Sequence, residues 1–206
     1  MSKFELPIDI DSVKGFLDAA EGDRLYDLAL KVSPELPVLE IGSYCGKSTV
    51  YLGAGAKQGG GQVFALDHHR GSEEHQLGEE YHDSELFDAE LQRMDTLPLF
   101  RRTLALAGLE EVVIPVVAST AQAGRFWEQS LGLVFIDGGH SLAAALADYR
   151  TWVPHIVKGG FLAIHDIFPD PNDGGQAPYE IYKLAQASGL FEDLGLTKTL
   201  AVLQRL

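Results

Sequence analysis

The chain has 206 residues, 46% of them hydrophobic and 22% charged, which suits one soluble α/β domain with a full core. Its net charge of −14 argues against a nucleic-acid partner and opposes a bulky anionic substrate, unless a metal or a local basic patch offsets the field. A single cysteine, Cys45, excludes an intrachain disulfide and suits a reducing compartment. The N-terminal stretch lacks an apolar signal core and no apolar run is long enough to span a membrane, so the expected location is cytoplasmic, away from membranes. A homodimer is compatible with this composition.

Residues 11–32 read as helix, with Asp11 or Ser12 as the cap and Gly22 splitting the stretch, inside an N-terminal helical segment of residues 1–35. A first strand follows at 38–41, a helix at 47–56, a Gly59-Gly60-Gly61 turn, and a second strand at 63–66 that ends on Asp67. Residues 70–95 are polar and too long for an ordinary βα loop, so they read as a lid, with His69, His75, Tyr81, His82 and Asp83 in or beside it. A helix at 97–107 leads to strands at 112–117 and 133–136, a helix at 141–157 and a strand at 161–164. A helix at 178–188 and two late strands at 190–196 and 198–204 close the chain. Strands alternating with helices imply a Rossmann-like, doubly wound, mostly parallel sheet with helices on both faces, and the late strands form a C-terminal antiparallel hairpin. Trp127 and Trp152, in apolar surroundings, read as core.

The turn after the first strand is the most specific segment. Glu40-Ile41-Gly42-Ser43-Tyr44-Cys45-Gly46-Lys47-Ser48 couples a strand to a glycine turn and a helix, an architecture that brings backbone close to a nucleotide. A phosphate-binding loop needs four residues between its glycines, and only three lie between Gly42 and Gly46. A dinucleotide fingerprint fails as well, because Tyr44 stands at the second glycine. What fits is E-x-G-x-x-x-G, which resembles motif I of the class I S-adenosylmethionine-dependent methyltransferases, in wording close to the catechol O-methyltransferase branch. The resemblance implies a single methyltransferase domain over 1–206, with the cofactor held by Glu40, Gly42, Ser43, Tyr44, Gly46 and Ser48. Asp67, about twenty residues beyond the turn, stands where such folds place an acid on ribose hydroxyls. His68 flanks the adenosine, and Ser119 stands where the resembled family contacts adenine.

Two consecutive strands each end in an aspartate: Leu133-Val134-Phe135-Ile136-Asp137 and Phe161-Leu162-Ala163-Ile164-His165-Asp166. On neighbouring strands about 4.8 Å apart the two carboxylates share a crevice and repel unless a proton or cation lies between them. Mg²⁺ or Mn²⁺ is the natural guest. The pattern resembles the metal-dependent O-methyltransferases, and in its wording the branch that includes macrolide-sugar O-methyltransferase relatives. In the catechol branch an Asn follows the second aspartate; here Ile167 cannot ligate. The third ligand falls to His165, His140, Asp170 or Asp173, with His165 the foremost. His140 stands where that branch carries a lysine base, so His140 and Asp137 form the expected catalytic pair. Gln176, in the long turn 170–178, is a candidate acceptor contact, and Cys45 reads as buried rather than reactive.

The expected activity is methyl transfer from S-adenosylmethionine to a small hydroxylated molecule such as a sugar, polyketide or catechol, assisted by a divalent metal. Two alternatives remain: a P-loop-type ATPase or kinase, drawn from Gly46-Lys47-Ser48-Thr49 and a strand ending in Asp137, and a non-catalytic S-adenosylmethionine-binding interaction protein.

Overall fold

The computed structural model describes residues 2–71, 83–139 and 141–206; His75, Tyr81, His82 and His140 lie outside them. In chain order the elements are α1 (Ala19–Val32), β1 (Val38–Ile41), α2 (Lys47–Gly59), β2 (Val63–Asp67), a short hairpin of β3 (Phe87–Asp88) and β4 (Arg93–Met94), α3 (Leu97–Ala107), β5 (Val113–Val117), α4 (Thr120–Gly124), β6 (Leu131–Ile136), α5 (Leu142–Trp152), β7 (Ile156–Ile164), α6 (Ala177–Ala187), β8 (Phe191–Thr197) and β9 (Leu200–Arg205).

The expected sheet is present. Seven strands run in the order β5-β2-β1-β6-β7-β9-β8. The first five are parallel, and β9 and β8 add the antiparallel edge. Strand β1 is buried along its whole length, as an apolar run covered on both faces must be. Alternate residues feed two cores: Val38, Leu133, Phe135 and Phe161 join one, while Leu39, Val134, Ile136 and Leu162 join the other. The order reverses between β1 and β6. That is the switch point at which an open α/β sheet leaves a crevice outside its carboxyl ends.

Four local expectations are corrected. Helix α1 begins at Ala19, because Asp18, not Asp11 or Ser12, supplies the cap, in a reciprocal box with Glu21. Asp9 caps only a short 3-10 turn, Ile10–Ser12. Gly22 does not split the helix; it lets the Tyr51 ring pack where a Cβ would lie 2.4 Å away. Helix α5 stops at Trp152 rather than 157, since Pro154 lacks an N–H and turns the chain through 3-10 geometry, so β7 starts at Ile156. The short α4 was not expected, although Ser119 and Gln122 form a capping box at its start. Trp152 is fully buried, with partly buried Trp127 edge-on at 5.2 Å.

Helices α1 and α2 approach so closely that a Cβ on Gly55 would lie 2.4 Å from the Tyr26 carbonyl oxygen. In an open helix Gly→Ala stabilises by about 1 kcal/mol. Here the added methyl meets backbone, and overpacking costs about 1–3 kcal/mol. Gly55→Ala is expected to lower the melting temperature, at about 2–4 °C per kcal/mol for a domain of this size. A thermal melt showing an unchanged or higher midpoint would refute this close packing.

Candidate active site

The turn after β1 is built from left-handed residues: Gly42 at φ 89°, Tyr44 at 45° and Gly46 at 96°. A Cβ on Gly42 would lie 2.0 Å from the Asp137 carbonyl oxygen, so only glycine lets the turn pass the end of β6. The Tyr44 N–H donates to Asp67 Oδ2 at 2.8 Å and the His69 N–H to Asp67 Oδ1 at 2.7 Å. Asp67 therefore ties the ends of β1 and β2 together while keeping a further lone pair on each oxygen. Ser43 is buried, and its Oγ has no partner among the described residues. Gly46 caps α2 and packs against Phe100 and Thr103. Cys45 is buried, and that burial pushes its thiol up to about 12, as expected of an unreactive residue.

Glu40, which the resemblance implies as a cofactor residue, lies behind the turn. It is fully buried and accepts from Ser48 Oγ at 2.6 Å and Thr49 Oγ1 at 2.5 Å. It is not among the residues lining the cavity described below. It anchors α2 beneath the glycine turn, so any effect on a ligand passes through Ser48 and the turn. Burial raises its carboxyl to about 8 despite the two hydroxyl donors.

A cavity of about 510 Å³ opens at the switch point. Gly42, Ser43, Tyr44, Ser48, Asp67, His68 and Ser119 line it, together with Asp137, His165 and Asp166. Of the sequence-derived site residues, only Glu40 and Gly46 stand behind this wall, and His140 is outside the described residues. His68 is exposed, and its Nδ1 accepts from the Arg70 N–H at 3.0 Å. Gly15, Phe16 and Leu17 form another wall. Beside them Lys14 pairs with Asp83 and Glu85, so the described end of the long insertion is tethered to the N-terminal segment. His69 is buried against Thr96 Oγ1 at 2.7 Å and does not face the cavity.

At the other end, donor atoms of Asp137, His165 and Asp166 all lie within 4.8 Å of one another. His165 Nδ1 stands 3.0 Å from Asp137 Oδ1 and 3.4 Å from Asp166 Oδ1. Three oxygen and nitrogen donors this close together are a group that could hold a divalent ion. Asp166 reaches the cluster from a left-handed backbone, φ 59°, which turns the chain sharply as it leaves β7. Asp170 and Asp173 are exposed and stand outside the cluster. The Gln176 amide donates to the carbonyls of Phe168 and Gly174 and closes its own turn, and the residue does not line the cavity.

The residue that sequence reasoning missed is Glu21. Its carboxylate accepts from the Asp18 N–H at 3.0 Å, from His165 Nε2 at 3.1 Å, and from the Thr199 N–H and hydroxyl at 2.8 Å each. The signal available in the sequence was the Asp18-x-x-Glu21 capping box; its second partner, His165, is 144 residues away. Burial opposes charge on both partners. For Glu21 the contacts with His165 and Thr199 outweigh burial and bring the carboxyl down to about 2. For His165 the field of Asp137, with Glu21 and Asp166, outweighs burial and raises the imidazole to about 11.

Glu40 gives the site a pH signature. Its carboxyl titrates at an ordinary 4.5 when free and at about 8 in the fold. The folded state thus holds the proton more tightly, and the stability linked to Glu40 is full below pH 4.5 and lost as pH rises through 8. Glu40→Gln is expected to remove this loss. Denaturant midpoints at pH 5, 6.5 and 8 should fall less steeply in the variant; parallel pH profiles would contradict the assignment.

Comparison with known proteins places the chain in a family and identifies structures that share its fold. A family model described as a methyltransferase domain matches residues 39–167. Solved structures share the fold at low identity. Cofactor-bound Rv0187 from MTB is 18% identical with a TM-score of 0.64, over 94% of this chain and 84% of that one. The O-methyltransferase from Bacillus cereus, in complex with SAH, is 16% identical with a TM-score of 0.61, over 92% and 83%. The O-methyltransferase NovP is 14% identical with a TM-score of 0.69, over 91% and 80%. Nothing supports the phosphate-loop alternative, and the Lys47 ammonium donates to the Gly15 carbonyl at 3.4 Å. From the glycine turn of residues 42–46 to the paired aspartates at the ends of β6 and β7, the matched span contains the site, and the chain belongs to the methyltransferase domain family, with the class I fold.

Proposed function

We propose that the protein transfers the methyl group of S-adenosylmethionine to a hydroxyl of a small molecule, such as a sugar, polyketide or catechol, with Mg²⁺ or Mn²⁺ held at Asp137, His165 and Asp166. The observation that carries this reading is that one cavity is lined by Asp67, by Ser43, whose hydroxyl has no partner among the described residues, and by the three-donor cluster. An orphaned buried hydroxyl beside a turn that only glycine can make suits the polar amino-acid end of the cofactor. The solved relatives titled O-methyltransferase, one of them in complex with SAH, support the same reading.

In this reading Asp67 takes the ribose hydroxyls through its remaining lone pairs, and His68 and Ser119 flank the nucleoside. Gly42, Ser43, Tyr44 and Ser48 hold the amino-acid end, with Glu40 and Gly46 supporting the turn from behind. Asp137 serves both the cofactor and the cation. When bound, the cofactor supplies an activated methyl and the cation lowers the pKa of the acceptor hydroxyl. Glu21 holds His165 by Nε2, which leaves Nδ1 for the cluster, as carboxylates commonly orient metal-binding histidines. His140, three residues after Asp137 in the sequence, is proposed as the base that takes the hydroxyl proton.

One observation favours a metal-independent version. The imidazole of His165 meets carboxylates at both nitrogens, and its raised pKa keeps it cationic, so without an added ion it offsets part of the negative charge of Asp137 and Asp166. Calorimetry and turnover decide between the two. SAH is expected to bind at micromolar concentration and ATP not at all. SAH formation from hydroxylated acceptors should rise with Mg²⁺ or Mn²⁺ and stop with EDTA. Asp166→Asn should weaken Mn²⁺ binding by about 10–100-fold and change SAH affinity little. Turnover that survives EDTA selects the His165 version, and binding of ATP in place of SAH overturns the proposal.

A further inference from the structure

We infer that Asp148 reads the exocyclic amino group of the cofactor's adenine and so sets the preference for an adenine nucleoside. This rests on the S-adenosylmethionine reading above and adds to it a specificity-determining residue on α5, an element that supplies none of the contacts assigned so far.

The sheet order arranges the site along one edge. Asp166 follows β7, Asp137 follows β6, Gly42 follows β1, Asp67 closes β2 and Ser119 follows β5. With the methyl at the aspartate pair and the ribose at Asp67, the base is left to the β5 side of the cavity. That side carries Thr120, Ala121, Ala144, Ala147 and Asp148. The alanines give it short apolar walls. Asp148 is its one carboxylate, 6% exposed and lining the cavity.

The hydrogen bonds around Asp148 are directional. The indole N–H of Trp152 donates to Thr120 Oγ1 at 3.3 Å. An indole N–H can only donate, so the hydroxyl's single proton goes to Asp148 Oδ1. Oδ1 is thereby occupied. Oδ2 has no hydrogen-bond partner among the described residues, and it faces Gly138, where a Cβ would lie 2.7 Å away. Gly138 and Asp148 both line the cavity, so a buried carboxylate oxygen beside Gly138 that lacks a donor calls for one from the ligand. The adenine amino group is a donor with an apolar ring behind it, which matches an acceptor set among alanines. Burial also pushes the Asp148 carboxyl up to about 6, as expected of an acid with a single donor.

Three ligands test this on the wild-type protein: SAH, its desamino purine analogue, and S-inosylhomocysteine, in which a carbonyl replaces the amino group. Calorimetry should show the purine analogue weaker than SAH by about tenfold, the worth of one buried hydrogen bond to a charged group. The inosine analogue should be weaker still, because its carbonyl faces the carboxylate. Asp148→Asn keeps the shape and can accept from Thr120, yet its amide can donate to the carbonyl. It should compress or reverse the SAH-to-inosine ratio at an unchanged melting temperature. Equal affinity of the wild type for all three ligands overturns the assignment while leaving the cofactor reading intact. Failure of the wild type to bind any of them overturns both. An Asn variant that folds and keeps the wild-type ratio also overturns the role of Asp148. If that variant does not fold, the wild-type order of the three ligands decides.

Discussion

The Glu21 carboxylate is the junction on which the Asp137–His165–Asp166 end of the cleft depends. Each of its oxygens accepts two hydrogen bonds, from donors on three distant stretches of chain: the start of α1, the β8–β9 turn and the residue after β7. A carboxylate buried this deeply is tolerable only because its acceptor capacity is filled. The N-terminal helix and the C-terminal hairpin are therefore both fastened to His165. Through that ring they fix the position of Asp137, the residue to which both a cofactor and a cation have been assigned. Removing Glu21 would leave an imidazole among acids with one nitrogen unmatched, and the cluster would lose its orientation before it lost any ligand.

A second constraint is steric. The chain leaves β1, β2 and β7 through residues in left-handed conformations: Tyr44, His69 and Asp166. Non-glycine residues adopt that geometry at a cost, and such costs collect where a site needs a sharp exit. Here each exit has a visible restraint. The N–H groups of Tyr44 and His69 are both bound by Asp67, and the Ile167 N–H is held by the Thr199 carbonyl. Asp67 and Thr199 thus hold the strand ends open, which leaves the cavity between them.

The fold was legible because it is written in short-range signals. Apolar runs of four to six residues placed most of the strands, and the glycine spacing of 42–46 separated a methyltransferase turn from a phosphate loop. The paired strand-end aspartates were also legible, since parallel neighbours bring such residues together. What escaped were partnerships across long sequence distances. Nothing local to Glu21 announces His165, and nothing local to Asp148 announces Thr120. The motif marks Glu40, yet its burial is satisfied by the hydroxyls of Ser48 and Thr49, eight and nine residues later on the first turn of α2. The start of α1 failed for a simpler reason: three acids and a serine in residues 9–18 compete as caps, and only Asp18 has a glutamate in register to complete the box.

Charge is the third constraint on the cleft. Glu21, Asp137 and Asp166 face one imidazole, so the cluster stays negative even with His165 cationic. The lysines at the cleft are committed elsewhere: Lys14 to Asp83 and Glu85, and Lys47 to the Gly15 carbonyl. Asp67 and Asp148 extend the acidic lining toward the β5 side. Such a surface attracts a sulfonium and a divalent ion and opposes polyanions such as ATP unless an ion intervenes, while the cofactor's own carboxylate is offset by its ammonium group. A cofactor that arrives with a positive sulfonium and leaves as a neutral thioether would bind more tightly before transfer than after it. The same field that draws S-adenosylmethionine in would therefore help to release its product.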